Sequence, residues 1–311
     1  MEVAVSAALT VVGLVMLCFG GNWLVNGGVN IAKKFRISNL VIGMTIVAYG
    51  TSTPELAASV AAAGEHSAII LGNIIGSNIA NIGMVIGVSA MLVPLAVRKS
   101  ILRKEIPIML GVSLLLILLS LDGEISTYDG IMLLGGLGVF TFYTFKDAMK
   151  HRAENKEQIE KGKSNIYLKS IGLIGIGIAL LYVGAILTVD NAVILAQEFG
   201  ISEKVIGLTV IAIGTSLPEL ITSIIAIRKG HTDIGIGTII GSNIYNILMI
   251  MGVGAALGGV MIGADVYVDY VIMIIFSISL LIALKTGIIS RAMGVCLTIG
   301  YVAYLVVTFF K

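Results

Sequence analysis

The chain has 311 residues, of which 57% are hydrophobic and only 12% charged, with a net charge of +2 and a mean hydropathy of +1.04. This is more apolar surface than a soluble domain of that length can bury, so the sequence reads as an all-α integral membrane protein. The same numbers exclude a soluble domain, and no catalytic nucleophile arrangement stands out; a nucleic-acid patch is the rival reading of the many cations, but their regular recurrence at span ends makes topology the better explanation.

Ten apolar segments follow one another at 3–30, 37–62, 67–95, 105–121, 128–146, 167–197, 203–227, 233–260, 267–284 and 291–310. Ten transmembrane helices are expected; barrel strands would alternate in hydrophobicity instead. The first segment opens with Glu2 rather than a basic region and exceeds a signal peptide's apolar core, so it is expected to remain as a span. Cys18 and Cys296 fall within the first and last segments, which makes a disulfide framework improbable.

The second segment carries Gly50-Thr51-Ser52-Thr53-Pro54-Glu55-Leu56, a carboxylate beside a helix-breaking proline. The third carries Gly72-Asn73-Ile74-Ile75-Gly76-Ser77-Asn78-Ile79-Ala80-Asn81. The charged stretch 147–166 reads as a cytoplasmic linker between a first repeat, 1–146, and a second, 167–311. After it, Gly214-Thr215-Ser216-Leu217-Pro218-Glu219-Leu220 and Gly237-Thr238-Ile239-Ile240-Gly241-Ser242-Asn243-Ile244-Tyr245-Asn246 repeat the earlier motifs. Between 37–60 and 201–224, with Ile37/Ile201, Gly43/Gly207, Thr45/Thr209 and Ala48/Ala212 among the matches, 14 of 24 positions are identical; between 71–87 and 236–252, 11 of 17 are. The motif blocks 43–87 and 207–252 are therefore copies of one unit. Each half has an odd number of spans, which predicts two inverted-topology five-helix repeats with a site at the midplane.

Of 20 Lys and Arg residues, 18 fall in the odd-numbered connections, and only Lys204 and Lys311 lie elsewhere. The positive-inside rule makes that side cytoplasmic and both termini extracellular. Asp190 in the sixth segment and its repeat counterpart Asn26 are expected near the extracellular end. His66, His151 and His231 are assigned to solvated loops.

A charge at the centre of a membrane helix costs ~2.5 to 3.5 kcal/mol, and no span supplies Lys or Arg to neutralise Glu55 or Glu219. At ~6 Å separation and an effective dielectric of ~20, the two would repel by ~2.8 kcal/mol, so the pair calls for a mobile cation. Pro54 and Pro218 lack an amide hydrogen and should free the carbonyls of Gly50 and Gly214. With the nearby Thr and Ser oxygens this is a hard-oxygen environment, suited to Ca²⁺, Na⁺ or K⁺ rather than zinc or copper. Asn73, Ser77 and Asn81, like Thr238, Ser242 and Asn246, are spaced to share one helical face. Asn78 and Asn243 read equally as interhelical clamps or as part of the site. A channel would place its acids in rings from repeated subunits, whereas one chain with an inverted repeat suits a carrier. An organic cation would want aromatic surfaces, and the motifs offer only Tyr49 and Tyr245.

These paired motifs resemble the calcium/cation antiporter superfamily, and Thr-Ser-x-Pro-Glu in both halves is more similar to its sodium/calcium exchanger branch than to the proton-coupled one. The resemblance implies that Glu55 and Glu219 bind Ca²⁺ with the Thr51 and Thr215 carbonyls. It implies sodium sites from Ala48, Ser52, Ser77 and Asn81 and from Ala212, Ser216, Ser242 and Asn246. The first and sixth helices would slide against the remaining eight, their close contact made by Gly20, Gly21, Gly27, Gly28 and Gly184. Some exchangers of this type carry aspartate at the position of Asn246. The expected activity is secondary antiport of Na⁺ for Ca²⁺ across the cytoplasmic membrane; the alternative is H⁺ for Ca²⁺ on the same glutamates. No cofactor, nucleic acid or obligate protein partner is expected, only the transported ions and the lipid bilayer.

Overall fold

A computed structural model describes residues 2–64, 66–154, 165–198, 212–264 and 266–310. The chain begins with α1 (Glu2–Phe35). α2 (Asn39–Thr51) starts behind Ser38, whose hydroxyl accepts the Val41 N–H at 3.3 Å, a serine cap. One residue, Ser52, separates it from α3 (Thr53–Ala62). α4 (Ser67–Leu92) returns, β1 (Leu95–Ala96) follows, and a π-helical turn (Ile101–Glu105) leads into α5 (Ile106–Leu119). Then come β2 (Glu124–Ile125), α6 (Thr127–Glu154) and α7 (Asn165–Glu198). Two short pieces, α8 (Ala212–Thr215) and α9 (Leu217–Arg228), flank Ser216. The chain closes with α10 (Thr232–Gly258), β3 (Val260–Met261), α11 (Val266–Thr286), β4 (Ile288–Ile289) and α12 (Arg291–Phe310).

Among the described residues, six helices are long and apolar enough to cross a membrane: those in α1, α4, α7, α10, α11 and α12. The expected second span is interrupted at Ser52 and the seventh at Ser216, because Pro54 and Pro218 each occupy the first turn of a new helix. The start of the seventh, with Ile201, Lys204, Gly207 and Thr209, lies outside the described residues. The expected linker, 147–166, overlaps helical residues at both of its ends. α6 runs on to Glu154 and α7 starts at Asn165, leaving 155–164 outside the described residues, and His151 belongs to a helix rather than a loop. Lys, Glu and Ala are good helix formers, so charge alone does not end a helix.

Burial ranks the helices. The apolar stretch of α10 is wholly buried and that of α4 is 78% buried, against 22% for α1 and 28% for α7, so α4 and α10 form the centre. α1 and α7 pack antiparallel through glycine: a Cβ on Gly20 would stand 2.8 Å from the Gly177 carbonyl oxygen, and one on Gly13 would stand 2.8 Å from that of Gly184. Leu17, Leu24, Leu181 and Ala185 belong to an apolar cluster that this pair shares with Ile42, Val47, Ala226 and Ile234, separate from the larger one built around α4 and α10. α2 crosses α10 just as closely, since a Cβ on Gly241 would lie 2.7 Å from the Met44 carbonyl oxygen. Small residues let membrane helices approach to backbone contact.

Both two-stranded sheets join the first half of the chain to the second. β1 pairs antiparallel with β4, Leu95 opposite Ile289, and β2 with β3, Glu124 opposite Met261. The β1–β4 pair sits at the basic end with Arg98 and Lys285, where Arg98 also meets Asp233 at 2.7 Å across the halves.

Candidate cation site

Glu55 and Glu219 lie in the first turns of α3 and α9, helix N-termini whose free N–H groups favour negative charge. Glu55 is 1% exposed and Glu219 fully buried, and the two carboxylates face one another closely enough to interact electrostatically. The Ser52 hydroxyl donates to Glu219 Oε1 at 3.2 Å and contacts the Ser242 hydroxyl at 3.0 Å, while Ser242 donates to the same oxygen at 3.3 Å. A serine from the first half thus holds the glutamate of the second.

Four asparagines build the adjoining wall where α4 meets α10. Asn78 Nδ2 donates to the Asn243 carbonyl at 3.3 Å, and Asn243 Nδ2 to the Asn78 carbonyl at 3.4 Å. Asn81 Nδ2 donates to Asn243 Oδ1 at 3.0 Å, and Asn246 Nδ2 to Asn78 Oδ1 at 3.1 Å. Asn81 and Asn246 each open a π-helical turn, Asn81–Ile86 and Asn246–Met251. Such wide turns recur at functional sites.

The oxygens left over are informative. Both carboxylate oxygens of Glu55, Oε2 of Glu219, Oδ1 of Asn81, Oδ1 of Asn246 and the Ser216 hydroxyl are buried without a hydrogen-bond partner among the described residues. Each buried acceptor left unpaired costs ~1 to 3 kcal/mol, so their concentration in one motif set indicates a ligand-binding device. Among the described residues, no three His, Cys, Asp or Glu side chains converge, which leaves a donor set of carboxylate, amide and hydroxyl oxygen. That set fits hard cations.

The remaining candidates divide. Thr51, Ser77 and Ala48 are buried, and the Ala48 carbonyl accepts the Thr51 hydroxyl at 3.2 Å and the Ser52 N–H at 3.0 Å. Thr215 closes α8; Ala212 begins it, and the Ala212 side chain lies outside the described residues. The outer members of the two polar stripes serve packing instead. Asn73 Nδ2 donates to the Glu55 carbonyl at 3.0 Å and the Ser59 hydroxyl at 2.9 Å, and the Thr238 hydroxyl donates back to the Ile234 carbonyl at 2.8 Å. Tyr49 and Tyr245 stack edge to face, rings 5.8 Å apart, and provide no cage for an organic cation.

One expectation is corrected. Lys229 donates to Asn26 Oδ1 at 2.7 Å and also to Asn22, which fixes Asn26 at the basic end of α1, beside Lys33 and Lys34, rather than at the opposite end. Antiparallel copies of one helix place equivalent residues at opposite ends, so Asp190 and Asn26 cannot share one. This tie between α1 and α9 has no local sequence signal.

Comparison with known proteins agrees with this geometry. The family model described as "Sodium/calcium exchanger protein" matches residues 5–146 and 169–310. The chain is 37% identical to the inner membrane protein YrbG of Escherichia coli, over 96% of this chain and 95% of that one. It is 33% identical to the sodium/calcium exchanger MaX1 of Methanosarcina acetivorans, over 99% of each. Its structure resembles that of the sodium-calcium exchanger NCX_Mj soaked with zero Na⁺ and Ca²⁺, with a TM-score of 0.86, 33% identity and coverage of 98% and 99%. With two matched repeats and near-full-length relatives that are transporters and not enzymes, the chain belongs to the sodium/calcium exchanger family of multi-pass membrane antiporters.

Proposed function

We propose that the chain exchanges Na⁺ for Ca²⁺ across the cytoplasmic membrane by alternating access, at one site shared by its two halves. The carrying observation is the buried, unpartnered oxygen set of Glu55, Glu219, Asn81, Asn246 and Ser216. In this reading Glu55 and Glu219 bind Ca²⁺ with the Thr51 and Thr215 carbonyls. Ser52, Ser77 and Asn81, with Ser216, Ser242 and Asn246, complete the sodium sites together with the Ala48 and Ala212 carbonyls. One Ca²⁺ leaves the carboxylate pair neutral, whereas three Na⁺ would leave one net positive charge, and exchange in that ratio would be electrogenic.

The proposed frame is ten spans in two inverted five-helix repeats, 1–146 and 167–311, with both termini extracellular. The antiparallel packing of α1 on α7 supports it, because Gly13 and Gly177, like Gly20 and Gly184, occupy equivalent positions in the two halves. The distribution of Lys and Arg supports the orientation.

The test is radiocalcium uptake into proteoliposomes at clamped voltage. Internal Na⁺ is expected to drive uptake and to carry current. Uptake driven by internal acid and indifferent to Na⁺ would replace this reading with H⁺/Ca²⁺ exchange on the same glutamates.

A further inference from the structure

We infer that Asn78 and Asn243 are positioning residues, each setting the amide orientation of the asparagine in the opposite half so that Asn246 and Asn81 turn oxygen, not nitrogen, toward the cation. The inference rests on the site proposed above and extends it to two residues outside the ligand set. An asparagine carries an acceptor and a donor of nearly equal size, and only its hydrogen-bond partners decide which of them faces a ligand. Presented the wrong way round, it offers a cation two N–H dipoles of repulsive sign.

The polarity of this network follows from its fixed ends. Asn78 Nδ2 points at the Asn243 carbonyl and Asn243 Nδ2 at the Asn78 carbonyl, and a backbone carbonyl can only accept. The second face of each amide nitrogen meets a methionine sulfur, Met273 at 3.7 Å from Asn78 and Met109 at 3.6 Å from Asn243, a weak acceptor in both cases. Both nitrogens are therefore held, and Oδ1 of Asn78 and of Asn243 must point the other way. Those oxygens accept Nδ2 of Asn246 at 3.1 Å and of Asn81 at 3.0 Å. Rotating Asn246 by half a turn would set oxygen against oxygen at Asn78; rotating Asn78 would do the same at the Asn243 carbonyl. Each of the four is at most 1% exposed, so water cannot repair a reversed amide. The outcome is the unpartnered Oδ1 on Asn81 and on Asn246. Each half thereby orients a ligand belonging to the other.

A double-mutant cycle tests this on the purified full-length protein, with Na⁺ affinity read by calorimetry and the Na⁺ and Ca²⁺ requirements of exchange read in proteoliposomes. Asn78→Leu keeps the branched shape but can neither donate to the Asn243 carbonyl nor accept the Asn246 amide. It is expected to weaken Na⁺ binding about tenfold and to raise the half-saturating Na⁺ concentration, with little change in maximal rate. In an Asn246→Ala background the same substitution should cost less than about twofold, since no amide remains to orient. Equal losses in both backgrounds, or a fall in maximal rate alone, would overturn the inference while leaving the site intact. Unchanged Na⁺ binding in Asn246→Ala and Asn81→Ala would overturn the proposed sodium sites, and the inference with them. If Asn78→Leu does not fold, Asn243→Leu with Asn81→Ala carries the same cycle. Misfolding of both leucine variants would make these residues structural and refute the proposal.

Discussion

Glu55→Met should make the cation-free protein more stable and the calcium-bound protein impossible. Both Glu55 oxygens are buried without a partner, and the residue is 1% exposed. At ~1 to 3 kcal/mol for each unpaired acceptor, the side chain costs the empty fold ~2 to 6 kcal/mol. Methionine has similar length and no polar atom, and its imperfect fit returns ~1 kcal/mol or so of that gain. A net stabilisation of about 2 kcal/mol is expected, a rise of roughly 4 °C in unfolding midpoint for a chain of this size. Added Ca²⁺ reverses the order, because a ligand at a hundredfold excess over its Kd stabilises the wild type by ~2.7 kcal/mol and leaves the variant unmoved. Thermal unfolding in detergent, with chelator and then with Ca²⁺, reads both effects, and radiocalcium uptake should be absent in the variant. A Glu55→Met protein less stable than wild type without cations, or one shifted equally by Ca²⁺, would refute the assignment of these oxygens to a cation.

Ser52→Ala removes the hydroxyl that meets Glu219 Oε1 at 3.2 Å. Hydrogen bonds to a charged group contribute ~1.5 to 3 kcal/mol, so Ca²⁺ affinity by calorimetry should fall ~10- to 100-fold, and an unchanged affinity would show that Glu219 needs no holding from the other half. Gly20→Ala forces a methyl against the Gly177 carbonyl at 2.8 Å, whereas Gly72→Ala meets nothing within 4 Å. The first should cost ~1 to 3 kcal/mol in thermal unfolding and the second almost nothing, and equal losses would contradict the close α1–α7 contact.

The two halves of the candidate site were legible to different degrees. Glu55 and Glu219 declared themselves because a charge and a proline are expensive inside a span, and their recurrence at equal spacing excluded accident. The helix breaks at Ser52 and Ser216 followed from Pro54 and Pro218. The polar stripes were only half readable: helical spacing put Asn73, Ser77 and Asn81 on one face, but which of them meets the acids depends on the facing helix. Asn73 in fact binds the backbone of α3. The reciprocal Asn78–Asn243 bonds join residues 165 apart and leave no local trace. Among the described residues six long helices stand where ten spans were counted: the breaks at Ser52 and Ser216 shorten the second and seventh, and α5, at 14 residues, is shorter than its apolar segment suggests.

The strand pairs bear on what the connection between the halves is for. β1 and β2 come from the first half and find their partners, β4 and β3, only in the second. A half chain alone would present open backbone edges at both ends, together with unpaired glycine faces and two unmatched asparagines. A chain cut between Glu154 and Asn165 loses none of those pairings. A continuous chain supplies one copy of each half to every molecule, so each strand finds its partner within the same chain.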